Sequence, residues 1–77
     1  MSHDFVIDSR TESTIQVRHI VEGHRYAFKV AECETGQRIL GRAIIREGMH
    51  AAHKGKFFVD EARLFAEREG RIAGLID

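Results

Sequence analysis

Residues 15–46 read IQVRHIVEGHRYAFKVAECETGQRILGRAIIR, three short β-type runs separated by two glycine-bearing turns. Treating Glu22-Gly23 and Thr35-Gly36 as two-residue hairpin loops fixes a register, because antiparallel partners step by one residue on each strand. His19 then faces Tyr26, Val17 faces Phe28 and Ile15 faces Val30. Across the second turn, Val30, Phe28 and Tyr26 face Gly41, Ala43 and Ile45. Side chains alternate between the two faces of a strand, so one face collects Ile15, Val17, Val21, Tyr26, Phe28, Val30, Ile39, Ala43 and Ile45, which reads as a core. The other collects Arg18, Arg25, Lys29, Arg38, Arg42 and Arg46 among Ile20, Ala27, Ala31, Leu40 and Ile44. Lys29 is set against Arg42 and Arg25 against Arg46. Directly opposed like charges cost a few tenths to ~1 kcal/mol per pair, so such a face calls for a reason.

Outward from this stretch, residues 1–14 hold one apolar run, Phe5-Val6-Ile7, expected as a short edge strand or as an arm packed across the sheet, followed by a polar loop. Residues 47–57 carry His50, His53, Lys54 and Lys56 between glycines and read as a helical turn or a mobile basic loop. From Phe58 the apolar period becomes helical: Phe58, Ala62, Phe65, Ala66, Ile72, Ala73 and Ile76 share a stripe at about 100° per residue, with Asp60 as the N-cap. Gly70 offers a C′ end to the helix, yet the stripe keeps its phase across it, so a helix over residues 58–76, weakened beyond Gly70, is expected to cover the core face. The fold class is α+β, a three-stranded antiparallel β-meander, with a short N-terminal strand added if Phe5-Val6-Ile7 pairs, and a C-terminal α-helix packed on one face. A chain of 77 residues is expected to form one small domain.

The formal net charge is zero, yet residues 15–56 hold eight Lys/Arg against four Asp/Glu while both flanks are acidic. The basic face of the sheet is therefore the strongest functional signal. Six cations on adjacent strands can meet phosphates, with Lys54 and Lys56 adding to them from the loop, and nucleic acid is the expected partner. Base specificity is expected to be low, because Gln16 and Gln37 are the only amides in the region. The order of three strands followed by one helix is similar to the small sheet-type DNA-binding domains of transposon integrases and of plant AP2-type factors, a likeness of element order that carries no function by itself. Two other readings compete. Arg and Lys stems can cover Ala27, Ala31 and Leu40 on a merely solvated face, partly paired with Glu22, Glu32 and Glu34. Alternatively, another protein or a second copy docks there through Ile20, Leu40 and Ile44, or on the helix through Leu64 and Leu75, which fall off its stripe.

Other chemistry finds little support. His50 and His53 have H-x2-H spacing, but two imidazoles do not make a site and no second ligand pair accompanies them, so neither a metal nor any cofactor is expected. His19 is expected as a structural histidine opposite Tyr26, and His24 as solvated beside the turn. There is no nucleophile with an evident base and no glycine loop of phosphate-cradling type; a catalytic role and a small-molecule substrate are not expected. The lone Cys33 cannot form an internal disulfide, which suits a cytoplasmic location, and its neighbours Glu32 and Glu34 disfavour a thiolate. No apolar run approaches about 18 residues and no basic-then-apolar leader occurs, so neither a membrane span nor a secretory signal is expected.

Overall fold

The computed structural model describes residues 4–77. Within them, four antiparallel strands follow in chain order, β1 (Phe5–Arg10), β2 (Thr14–His19), β3 (Arg25–Glu32) and β4 (Arg38–Arg46), each paired with the next. A 3-10 turn over Gly55–Phe58 leads into α1 (Val59–Ile72), which touches all four strands from one face. The α+β class and the covered antiparallel meander stand, and the Phe5-Val6-Ile7 run belongs to a full six-residue strand rather than an arm.

Burial follows the apolar alternation of the strands. Ile15, Val17, Tyr26 and Phe28 are fully buried beneath α1, with Phe5, Leu40, Ala62, Ala66 and Ile76 around them. The helix turns Ala62, Ala66 and Gly70 to the sheet at four-residue spacing, so its backbone can come close. A Cβ on Gly70 would stand 2.9 Å from Ile15 Cδ1, which makes this glycine a packing position inside the helix. Asp60 and Glu61 occupy the first turn and Arg71 the last, each matched to the helix dipole. Asp60 is not the cap: Phe58 holds that position, without a side-chain hydrogen bond. The helix ends at Ile72 because Gly74 adopts φ 75° and Leu75 N–H bonds back to Gly70 O at 2.8 Å, a Schellman-type closure. Ile76 thus enters the core by reversal of the chain, whereas Ile72 and Ala73, expected on the stripe, are exposed.

Both sheet turns depart from two-residue loops. His19 N–H bonds to His24 O and Gly23 N–H to His19 O, each at 2.8 Å, which leaves residues 20–23 as a four-residue loop. The pairs become Ile15 with Phe28, Val17 with Tyr26 and Arg18 with Arg25. That shift is even, so strand residues keep their faces; the loss falls on Val21, expected in the core and 77% exposed in the loop. At the other turn Cys33 N–H bonds to Gln37 O, and Gly36 takes φ 82° in a three-residue loop. Val30 therefore faces Leu40, not Gly41, until one extra residue in β4 restores the expected pairs of Phe28 with Ala43 and Tyr26 with Ile45. This bulge exchanges sides near the turn. Leu40, expected as an open-face interface residue, is 5% exposed in the core, and Ile39, expected in the core, is 44% exposed. Arg63 of α1 donates to Leu40 O at 3.2 Å and Gly41 O at 2.8 Å, with its guanidinium 5.2 Å above the Phe28 ring.

Candidate nucleic-acid interface

The face of the sheet turned away from α1 can be read in rows from the strand pairing. Val6, Arg18, Arg25 and Arg46 form one row, and Ser9, Gln16, Ala27 and Ile44 the next. A third holds Thr14 and Lys29, with Gly41 and Arg42 sharing the position opposite Lys29. The cations thus stand in two rows, one of Arg18, Arg25 and Arg46 and one of Lys29 and Arg42, all exposed, with an uncharged row between. Arg25 and Lys29 are four residues apart on β3, which separates the rows by ~13 Å at ~3.3 Å per residue.

Arg25 directly opposes Arg46, as expected, whereas the bulge takes Lys29 and Arg42 out of direct opposition. Asp8, the extra residue of a second bulge between Ile7 and Ser9 in β1, bonds Arg18 Nε at 3.1 Å and stands 3.9 Å from Arg25 Nε. Exposed pairs of this kind contribute at most ~1 kcal/mol. No ion pair involves Lys29, Arg42 or Arg46 among the described residues.

The remaining expected contacts are dispersed. Arg38 leaves the face: its backbone N–H bonds Asp77 Oδ2 at 2.7 Å and its guanidinium Gly74 O at 2.9 Å, beside the end of the helix. Lys54 and Lys56 line an open cleft with Ile45 and Glu47 on the helix side of β4, apart from the strand cations. Of the apolar interface candidates, Ile44 is 56% exposed on the open face, Ile20 lies exposed in the 20–23 loop and Leu64 is exposed on α1. Leu75 instead packs against the core.

A polar cluster that the sequence reading missed secures one end of the sheet. His24, expected to be solvated, is fully buried; its Nε2–H donates to His53 O at 2.7 Å and its Nδ1 accepts Gly48 N–H at 3.0 Å, which requires a neutral ring. His19 is buried against Phe58 and Phe5 and accepts Glu22 N–H on Nδ1 at 3.1 Å, in keeping with a structural role. Glu22 accepts from both His53 N–H, at 2.7 Å, and His53 Nδ1–H, at 2.8 Å. Burial pushes the Glu22 carboxyl up, but the bonds and charge of His53 prevail and hold it below its usual range. Tyr26 donates its hydroxyl to Gly55 O at 2.6 Å; burial, then the charges of Glu22, Glu47 and Glu61, push its pKa up to about 12. Glu47 accepts Gly55 N–H at 2.6 Å. Residues 47–57 are therefore fastened to the sheet at several points instead of forming a mobile basic loop. Gly48, where a Cβ would collide with the Glu22 carbonyl, was the available hint that this segment packs closely.

Cys33 also departs from expectation. The Thr35 hydroxyl, 3.0 Å from Sγ, and the Thr35 backbone lower the thiol pKa, outweighing the upward push of burial. Among the described residues no group of three His, Cys, Asp or Glu side chains could hold a metal, and no helix is long and apolar enough to cross a membrane. No family model, curated protein or solved structure matches the chain.

Proposed function

We propose that this protein is a non-catalytic binding module that engages the phosphate backbone of nucleic acid through Arg18, Arg25, Lys29, Arg42 and Arg46 on the open face of its sheet. One observation carries the reading: five exposed cations are held on one face, with Arg25 directly opposed to Arg46 and Asp8 as the one carboxylate ion-paired with them among the described residues. A polyanion removes that repulsion and releases its own counterions on contact. Arg38, Lys54 and Lys56 drop out of the contact set because they point elsewhere. A reducing cytoplasm suits the unpaired Cys33.

Titration of labelled oligonucleotides should show binding at low salt that weakens steeply as salt rises, and joint replacement Arg42→Glu with Arg46→Glu should abolish it. Absence of binding at low salt overturns the reading. A second reading, association with a protein or another copy of the chain, is favoured by the exposure of Ile39 and Ile44 on the same face. Sedimentation that shows a monomer at high concentration would exclude self-association.

A further inference from the structure

We infer that the ligand is a B-form duplex, straddled across its major groove with one cationic row on each flanking backbone and no reading of bases. This rests on the phosphate-binding reading above and narrows it to one class of nucleic acid. The row spacing is the first argument. Arg18, Arg25 and Arg46 lie ~13 Å from Lys29 and Arg42, close to the ~12 Å width of a B-form major groove. Strands would then cross the groove, and the uncharged row of Gln16, Ala27 and Ile44 would lie over its mouth.

The second argument is reach. Base edges lie at the floor of a groove ~8.5 Å deep, whereas Ala27 and Ile44 are short and Gln16 starts from the same sheet level. Side chains held at the mouth can exclude solvent, but they do not discriminate base pairs. The third is the whereabouts of the rings. Phe5, Tyr26, Phe28, Phe58 and Phe65 are all turned to the helix side, and Phe57 is stacked on His53 at 5.0 Å in the segment before α1. Single strands are bound chiefly by bases stacking on aromatic side chains, and the open face presents none. An A-form duplex fits poorly as well, because its major groove is deep and narrow.

The test is a salt titration of the whole chain against three probes: a DNA duplex of mixed sequence, one of its isolated strands, and an RNA duplex of the same sequence. With both rows engaged, the logarithm of affinity against the logarithm of salt should fall with a slope of about −4.5 for the DNA duplex. A single row on a single strand gives about −2. Duplexes rich in A·T and in G·C should bind within about twofold of each other, since a base-reading side chain would separate them by more. The paired replacement Lys29→Ala with Arg42→Ala should bring the DNA-duplex slope to about −2.7 while far-ultraviolet circular dichroism stays unchanged. Equal slopes for duplex and single strand, tighter binding of the RNA duplex, or a strong base preference would each overturn this inference and leave the phosphate-binding reading standing. Failure of all three probes to bind at low salt overturns both.

Discussion

Neighbouring residues of β3 live under opposite rules. Tyr26 and Phe28 are fully buried beneath α1, while Arg25 and Lys29, one position away, stand in solvent beside further cations. The helix-side face is selected for volume and complete hydrogen bonding; even the buried hydroxyl of Tyr26 and both ring nitrogens of His24 have partners. The open face keeps Arg25 opposed to Arg46 and Ile39 and Ile44 exposed, with Asp8 beside Arg18 and Arg25 as its one ion-paired carboxylate among the described residues. Stability accounts for the first face; on the proposed reading a phosphate backbone accounts for the second.

This contrast is broken most directly by mutation. Phe28→Ala should cost roughly 3–5 kcal/mol, enough to unfold a domain of this size, whereas the half-buried Phe65 should lose less, about 2 kcal/mol. Urea denaturation measures both, and unchanged midpoints would show that the core lies elsewhere. His24→Ala comes next. It strips the partners from Gly48 N–H and His53 O, both part-buried, at about 1 kcal/mol for each, and should speed hydrogen exchange at the Gly48 amide.

Alkaline titration probes the same face. The Tyr26 phenol has an ordinary value of 10.0 and is raised to about 12 in the fold. Between those values the unfolded chain is the one that loses the proton, so stability should fall from pH 10 upward and level off near 12, by roughly 1–3 kcal/mol. Tyr26→Phe should remove that slope. The smallest effect on stability is expected from the open face: Arg46→Ala should change it by less than about 0.5 kcal/mol, or raise it by relieving Arg25. The same replacement should reduce the salt slope of nucleic-acid binding by about 1. A loss of stability comparable to that of His24→Ala would dissolve the distinction between the faces.

The core face was legible in the alternation of Ile15, Val17, Tyr26 and Phe28, which survived an error in the turn. The four-residue loop at 20–23 displaces the pairing by two, and a displacement of two leaves each side chain on its own face. Val21 had no such protection, because the loop absorbed it. At β4 two effects cancel. The turn there is a three-residue loop, but the extra residue in β4 restores the pairs of Phe28 with Ala43 and Tyr26 with Ile45, so these agree with the sequence reading although the geometry behind them differs. Only residues between loop and bulge, Ile39 and Leu40 among them, show the discrepancy. Of the basic face, Arg18, Arg25, Lys29, Arg42 and Arg46 were legible from parity alone. Arg38, near the turn, was not, and neither was the buried cluster of Glu22, His24 and His53. Its contacts join residues about 30 apart in the chain through backbone groups, which leave no periodic trace.

The bulges also bear on what the two margins of the sheet offer to another strand. A marginal strand at the side of a sheet offers free backbone groups on which another chain can build. In β4, Arg38 has its N–H and C=O bound by Asp77, and the carbonyls of Leu40 and Gly41 are held by Arg63. β1, at the opposite margin, is interrupted at Asp8. Neither margin therefore offers an unbroken run of free backbone groups with which another strand could pair along its whole length.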